Sequence, residues 1–222
     1  MHFIRLTELE ASDVMEFLVD DPDALDPSIE ALSFSREEAI TFFEGLVREA
    51  INSAVSYVVK TDSNKIVAVR LSTFRTREEA IEDAQTLAYQ DISTAVGRAQ
   101  ALLRHLNQQF WNEADSQISK VYYLVAVVVA KNYRHTDIVD QLIHHNMDEI
   151  RTMGAQGMVA DAAIFHSHCL LHRLGYRVVA ELEREAFSEP EQKHKTHDGN
   201  GKVQLVFKEI WREESAGAHV VL

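Results

Sequence analysis

The apolar run Tyr122 to Ala130 leads directly into Lys131-Asn132-Tyr133-Arg134-His135-Thr136-Asp137-Ile138-Val139. This is the pattern of a buried strand, a short polar turn and the start of a helix. Such a turn can present backbone N–H groups to a phosphate at a helix N-terminus. The glycines that usually let the backbone approach a phosphate are missing. Asp137 occupies an N-cap position before Ile138, with Asp140 three residues on. A capping carboxylate would occupy the N–H groups that a phosphate needs. At about 4 Å from a diphosphate it would also cost on the order of 4 kcal/mol at an effective dielectric near 20, roughly a thousandfold in affinity. Two readings stand side by side here: a phosphate-binding turn, and a self-capped helix that binds none.

Proton transfer has its own candidates. His166 and His168 flank Ser167 at the start of a helix expected to face the same cleft. A histidine titrates near neutrality and suits this role, although most of the 11 histidines are expected at the surface. His168 and His172 share a helix face at i, i+4, as zinc ligands can. The glutamate of a zinc-protease helix is absent between them, and no metal is expected. Cys169 lies in an apolar helix without an activating neighbour, which argues against a nucleophile.

The elements that would position these residues follow from local chemistry. His2 to Leu6 can form a strand. A helix opens at Ser12-Asp13 and ends before Pro22, because proline disfavours helix in the residue before it. Asp26-Pro27-Ser28 starts a short turn or helix. Ser35 and Glu38 form a capping box ahead of Ile40, Phe43, Leu46, Val47 and Ile51 at helical spacing. Val55 to Lys60 and Ile66 to Phe74 read as a hairpin across Thr61 to Lys65. Thr76 to Trp111 reads as two helices. Val121 to Ala130 is the central strand, and one amphipathic helix is expected from Ile138 to Met153, ending at Gly154. Gly157 to Ala162 is a strand, Ile164 to Arg173 a helix, and Val178 to Arg184 and Val203 to Trp211 the last strands.

The expected fold class is therefore α/β (α+β), with a mixed, mostly antiparallel sheet and helices on both faces. Residues 1–213 are read as one domain that includes the helical stretch 76–111, and residues 214–222 as a flexible tail.

Composition narrows the function. Of 222 residues, 22 are basic and 35 acidic, giving a net charge of −13. That balance argues against sequence-independent nucleic-acid binding, which needs a basic footprint. It fits a cationic small molecule, or simply solubility. The single cysteine excludes an intrachain disulfide and suits a reducing cytosol. The longest apolar run is well short of the roughly 20 residues a membrane span needs, and Met1 to Arg5 does not look like a secretory signal. A soluble cytoplasmic protein is expected. The last strand could pair across an interface to form a homodimer.

The order of elements, with these residues, resembles the GCN5-related N-acetyltransferase (GNAT) superfamily, and within it the arylalkylamine N-acetyltransferases of invertebrates. The family's central strand is followed by Y-R-x-x-G-I-G-x-x-L. Tyr133, Arg134, Ile138 and Leu142 match it, while Asp137 and Val139 stand where the two small residues belong. Ser167 to Tyr176 fits the family's S-x-x-x-x-x-x-L-G-F/Y element, and Asp26-Pro27-Ser28 is the counterpart of an acidic-Pro-Leu element.

The resemblance implies acetyl-CoA as cofactor and a small amine, arylalkylamine or polyamine, as acceptor. Acetyl-CoA would be held by the turn (Arg134, His135, Thr136, Asp137, Ile138 and Val139) and by backbone amides at about Val127, Val128 and Val129. Asp26 is the implied base, with His168 as an alternative. Ser167 substitutes for the family's tyrosine acid, whose position is Leu171 here. A non-catalytic relative that keeps the fold for ligand or protein binding is the alternative.

Overall fold

The computed structural model describes residues 1–20, 34–86, 92–134, 136–161, 168–183 and 202–210. The elements run β1 (His2–Arg5), α1 (Ala11–Val19), α2 (Arg36–Ser53), β2 (Tyr57–Lys60), β3 (Ile66–Thr76), α3 (Arg77–Thr86), α4 (Ala95–Glu113) and β4 (Lys120–Val129). A single 3-10 turn, Lys131–Tyr133, then leads into α5 (Ile138–His144), α6 (Met147–Thr152), β5 (Gly157–Asp161), α7 (His168–Arg173), β6 (Arg177–Glu183) and β7 (Lys202–Glu209). No helix among the described residues is long and apolar enough to cross a membrane.

The seven strands form one sheet in the order β1-β2-β3-β4-β5-β7-β6. Every pair is antiparallel except β4 with β5. The expected mixed, mostly antiparallel sheet is therefore what forms. Alternation along β4 separates two cores. Val121, Tyr123 and Val125 pack with Phe17, Phe43, Val47, Leu106 and Phe110 of α1, α2 and α4. Tyr122, Leu124, Val127 and Val129 pack with Ile138, Leu142, Ile150 and Leu171 of α5, α6 and α7. The sheet is thus covered by helices on both faces.

Local signals become structure where the sequence was explicit. Ser35 accepts from the Glu38 N–H at 3.2 Å, and the Glu38 carboxylate accepts from the Ser35 N–H at 2.9 Å, a complete capping box. The hairpin closes through Thr61 N–H to the Lys65 carbonyl at 2.9 Å, with Asn64 at φ +64°. Among the described residues the stretch 76–111 holds two helices, α3 and α4, as expected, and α4 continues to Glu113.

One expectation fails. Ile138 to Met153 is not one helix but two, broken at His145 and Asn146, where Asn146 takes φ +59°. The cause lies on β3. Arg70 is fully buried, and its guanidinium donates to the carbonyls of Leu142 (2.6 Å), Ile143 (3.3 Å) and His145 (3.0 Å). In a continuous helix those carbonyls would accept from residues 146, 147 and 149. Arg70 takes their place, and the chain turns.

Candidate active site

The strand that precedes the turn is irregular at one point. In the β3–β4 ladder Leu71 pairs with Ala126 and Ser72 with Leu124, so Val125 is an extra residue in β4. Such a bulge bends its strand and disrupts the local ladder. Pairing of β4 with β5 stops at Leu124, directly before the bulge, while β4 continues beside β3 to Val129. β5 is described only to Asp161, and residues 125–129 of β4 have no described strand on their β5 side.

The direction of the amides follows. The Ala130 N–H donates to the Val67 carbonyl at 2.9 Å, toward β3. Neighbouring residues in a strand alternate their N–H groups between its two sides. Val127 and Val129 therefore direct their backbone away from β3, and Val128, between them, directs its backbone toward β3. Their side chains fill the α5 core or the opposite one, so only the backbone is offered to a ligand.

The turn beyond the strand is compact. The Arg134 Nε–H donates to the Val129 carbonyl at 2.9 Å, which brings a guanidinium back to the end of β4. The Thr136 hydroxyl donates to the Tyr133 carbonyl at 2.6 Å and accepts weakly from the Ile138 N–H at 3.4 Å. Ile138 is buried as an anchor of α5, Val139 is half-buried, and Thr136 and Asp137 are exposed. His135 lies outside the described residues.

Asp137 occupies the N-cap position, but its side chain makes no capping hydrogen bond. The expectation of a self-capped helix needs that correction. Thr136, one residue earlier, interacts with the helix start instead, and the Asp137 carboxylate faces solvent.

The second half of the expected site is only partly placed. His168 is the first residue of α7, while Asp26, His166 and Ser167 lie outside the described residues. The Leu174-Gly175-Tyr176 element closes α7. Gly175, at φ +85°, donates to the His172 carbonyl at 3.0 Å, and the Tyr176 N–H donates to the Leu171 carbonyl at 3.0 Å. This is a Schellman cap, which needs the left-handed backbone that glycine adopts freely. Leu171 and Tyr176 are both buried.

A cavity of about 450 Å³ opens at the same end of the sheet, on the other face. It is lined by Asp13, Glu16 and Asp20 of α1, with Asn64, Lys65 and Ile66 at the hairpin. Its carboxylates are partly engaged: Lys60 lies 3.5 Å from Asp13, and Arg36 grips both oxygens of Asp20 at 2.8 and 3.0 Å.

One residue at the site escaped the sequence reading. Arg70 lies opposite Val127 in the β3–β4 register and grips the far end of α5. The available signal was a lone arginine inside the apolar run Ile66 to Leu71.

The chain is similar to mosquito arylalkylamine N-acetyltransferase-like 5b at 14% identity, over 94% of this chain and 99% of that one, with a TM-score of 0.74. The fold is that of the GNAT superfamily. A second GNAT-fold neighbour is the polyamine N-acetyltransferase of Drosophila melanogaster, an enzyme that forms N-acetylagmatine. It matches at 16% identity over 94% and 99% of the two chains, with a TM-score of 0.73. A more distant one is a NatC complex bound to a Gag peptide and CoA, at 10% identity over 94% and 98%, with a TM-score of 0.53. No family model and no curated protein matches the sequence.

Proposed function

We propose that this GNAT-fold chain is an acetyl-CoA-dependent N-acetyltransferase that acts on a small amine by direct transfer in a ternary complex. The observation that carries the reading is the Val125 bulge in β4, after which the backbone of Val127 and Val129 is directed away from β3, to the side where no strand is described.

Each chemical requirement has a candidate. Negative charge developing on a thioester carbonyl needs a preorganised donor, and a strand amide at Val127 or Val129 suits that role. The diphosphate needs N–H groups and positive charge. The first turn of α5 leaves its N–H groups without intrahelical partners, and Arg134 stands at the end of β4. Alignment of two reactants in one cleft lowers the barrier by removing their relative freedom. Asp26 or His168 is proposed as base toward the amine, and Ser167 as proton donor to the leaving thiolate. The acceptor is proposed to be cationic, an arylalkylamine or polyamine, as for the Drosophila neighbour. The acidic balance of the chain and the carboxylates along α1 favour it.

A second reading, a binding module that has lost acetyl-CoA, is favoured by Asp137 and Val139 in place of two small residues. Calorimetric titration with acetyl-CoA at moderate salt separates the two. Micromolar binding supports the enzyme, and an amine screen with Asp26→Asn and His168→Gln then tests the proposed bases. No binding at millimolar cofactor favours the module.

A further inference from the structure

We infer that Arg70 is the positioning residue of the β4–α5 site, fixing α5 against the strand from the end opposite the turn; this rests on the reading of that site as the acetyl-CoA cleft. Helix α5 has seven residues, far below the length at which a helix is stable alone. Its place depends on tertiary anchors. Ile138, Leu142 and Ile143 supply the apolar ones. Arg70 supplies the polar one, through the carbonyls of Leu142, Ile143 and His145.

Two features suit Arg70 to this task rather than to general packing. First, its charge is aimed. The other Nη donates to the Val55 carbonyl at 3.0 Å, and the guanidinium lies over the rings of Tyr57 at 5.0 Å and Tyr122 at 5.6 Å. The hydrogen bonds found for it among the described residues all go to carbonyls, so the cation meets the negative end of the α5 dipole. Second, it stands beside Val127 in the sheet register. Its side chain therefore ties β3, the strand paired with the amide-offering part of β4, to the helix that would meet the diphosphate. A lysine is a point charge on a flexible stem and cannot reproduce a planar fork that meets the α5 carbonyls with one Nη and the Val55 carbonyl with the other.

The test uses Arg70→Met and Arg70→Lys in the full chain, with three measurements on each: thermal unfolding, amide hydrogen exchange of the α5 and sheet segments, and acetyl-CoA titration. In Arg70→Met, the amides of α5 and α6 should exchange faster while those of β3 and β4 keep wild-type protection. Acetyl-CoA affinity should fall by about tenfold or more, a loss of about 1.4 kcal/mol or more. Arg70→Lys should recover only part of both. The inference is overturned if α5 keeps its protection in Arg70→Met, or if sheet and helices lose protection together. Failure of both variants to fold overturns it as well, since Arg70 would then be a keystone of the whole core. If the wild type does not bind acetyl-CoA, the proposed function fails, while the exchange pattern still decides whether Arg70 positions α5.

Discussion

The Thr136 hydroxyl donates to the Tyr133 carbonyl at 2.6 Å, folding the turn back on itself one residue before the helix cap. That contact leaves the Asp137 carboxylate in solvent rather than on the α5 amides. Its effect on a bound diphosphate is then an exposed, screened repulsion, on the order of 1 kcal/mol at 4 Å in water. Asp137→Asn should raise acetyl-CoA affinity by about fivefold at low salt and by less at high salt. The double variant Asp137→Gly, Val139→Gly should raise it further by letting the backbone approach. Titration at two ionic strengths checks both, and unchanged affinity would mean that the turn does not face the cofactor.

Arg77 plays for α4 a part similar to that of Arg70 for α5. Its guanidinium donates to the carbonyls of Trp111 (2.7 Å), Ala114 (3.2 Å), Asp115 (2.9 Å) and Ile118 (3.1 Å), and it lies 5.1 Å from the Trp111 ring centroid. Arg77→Met should cost about 2–4 kcal/mol of stability, given what hydrogen bonds from a charged donor contribute. Urea denaturation measures it, and Arg77→Lys should recover little.

Gly157 is required by packing, not by backbone conformation. A Cβ there would stand 2.1 Å from the buried Phe207 ring and 3.2 Å from the Lys208 carbonyl. Gly157→Ala should destabilise by about 1–3 kcal/mol through overpacking. The companion variant Gly157→Ala, Phe207→Leu should lose less than the sum of the single changes, which a double-mutant cycle would reveal.

His145 makes stability depend on pH. Its ring stacks on Phe3 at 4.7 Å and meets Tyr57 edge-on at 4.5 Å. Burial, then Arg70 and Arg5, hold its pKa below the ordinary 6.5, against the opposing pull of Glu149. As pH falls through about 6.5 the unfolded chain takes up this proton before the folded one, so stability declines. The decline ends once His145 protonates in the folded state. His145→Phe should flatten this part of a stability-against-pH curve measured by chemical denaturation between pH 7.5 and 5.

What was legible in the sequence was local in its cause. Ser35 and Glu38 complete their box within four residues, and the turn from Thr61 to Lys65 carries its own chemistry. Gly154 and Gly175 close α6 and α7 by the same cap, each at positive φ. The mixed, mostly antiparallel sheet with helices on both faces was legible as well, because it follows from the succession of such elements. The break at His145 was not, since its cause, Arg70, lies 72 residues from Leu142. The choice between Thr136 and Asp137 at the helix start was hidden too: both residue types can cap, and the Tyr133 carbonyl decides. The Val125 bulge has no local mark, because it sits in a row of small apolar residues that would form an unbroken strand equally well.

That bulge has a consequence for how the cleft tolerates change. One surplus residue makes β4 longer than the stretch of β3 it follows, and the excess path is taken up at Val125, directly after pairing with β5 ends. The offset is thus set by chain length rather than by the identity of any side chain. Point substitutions in the turn, Asp137 and Val139 included, leave it in place. Removal of a residue from β4 would erase it.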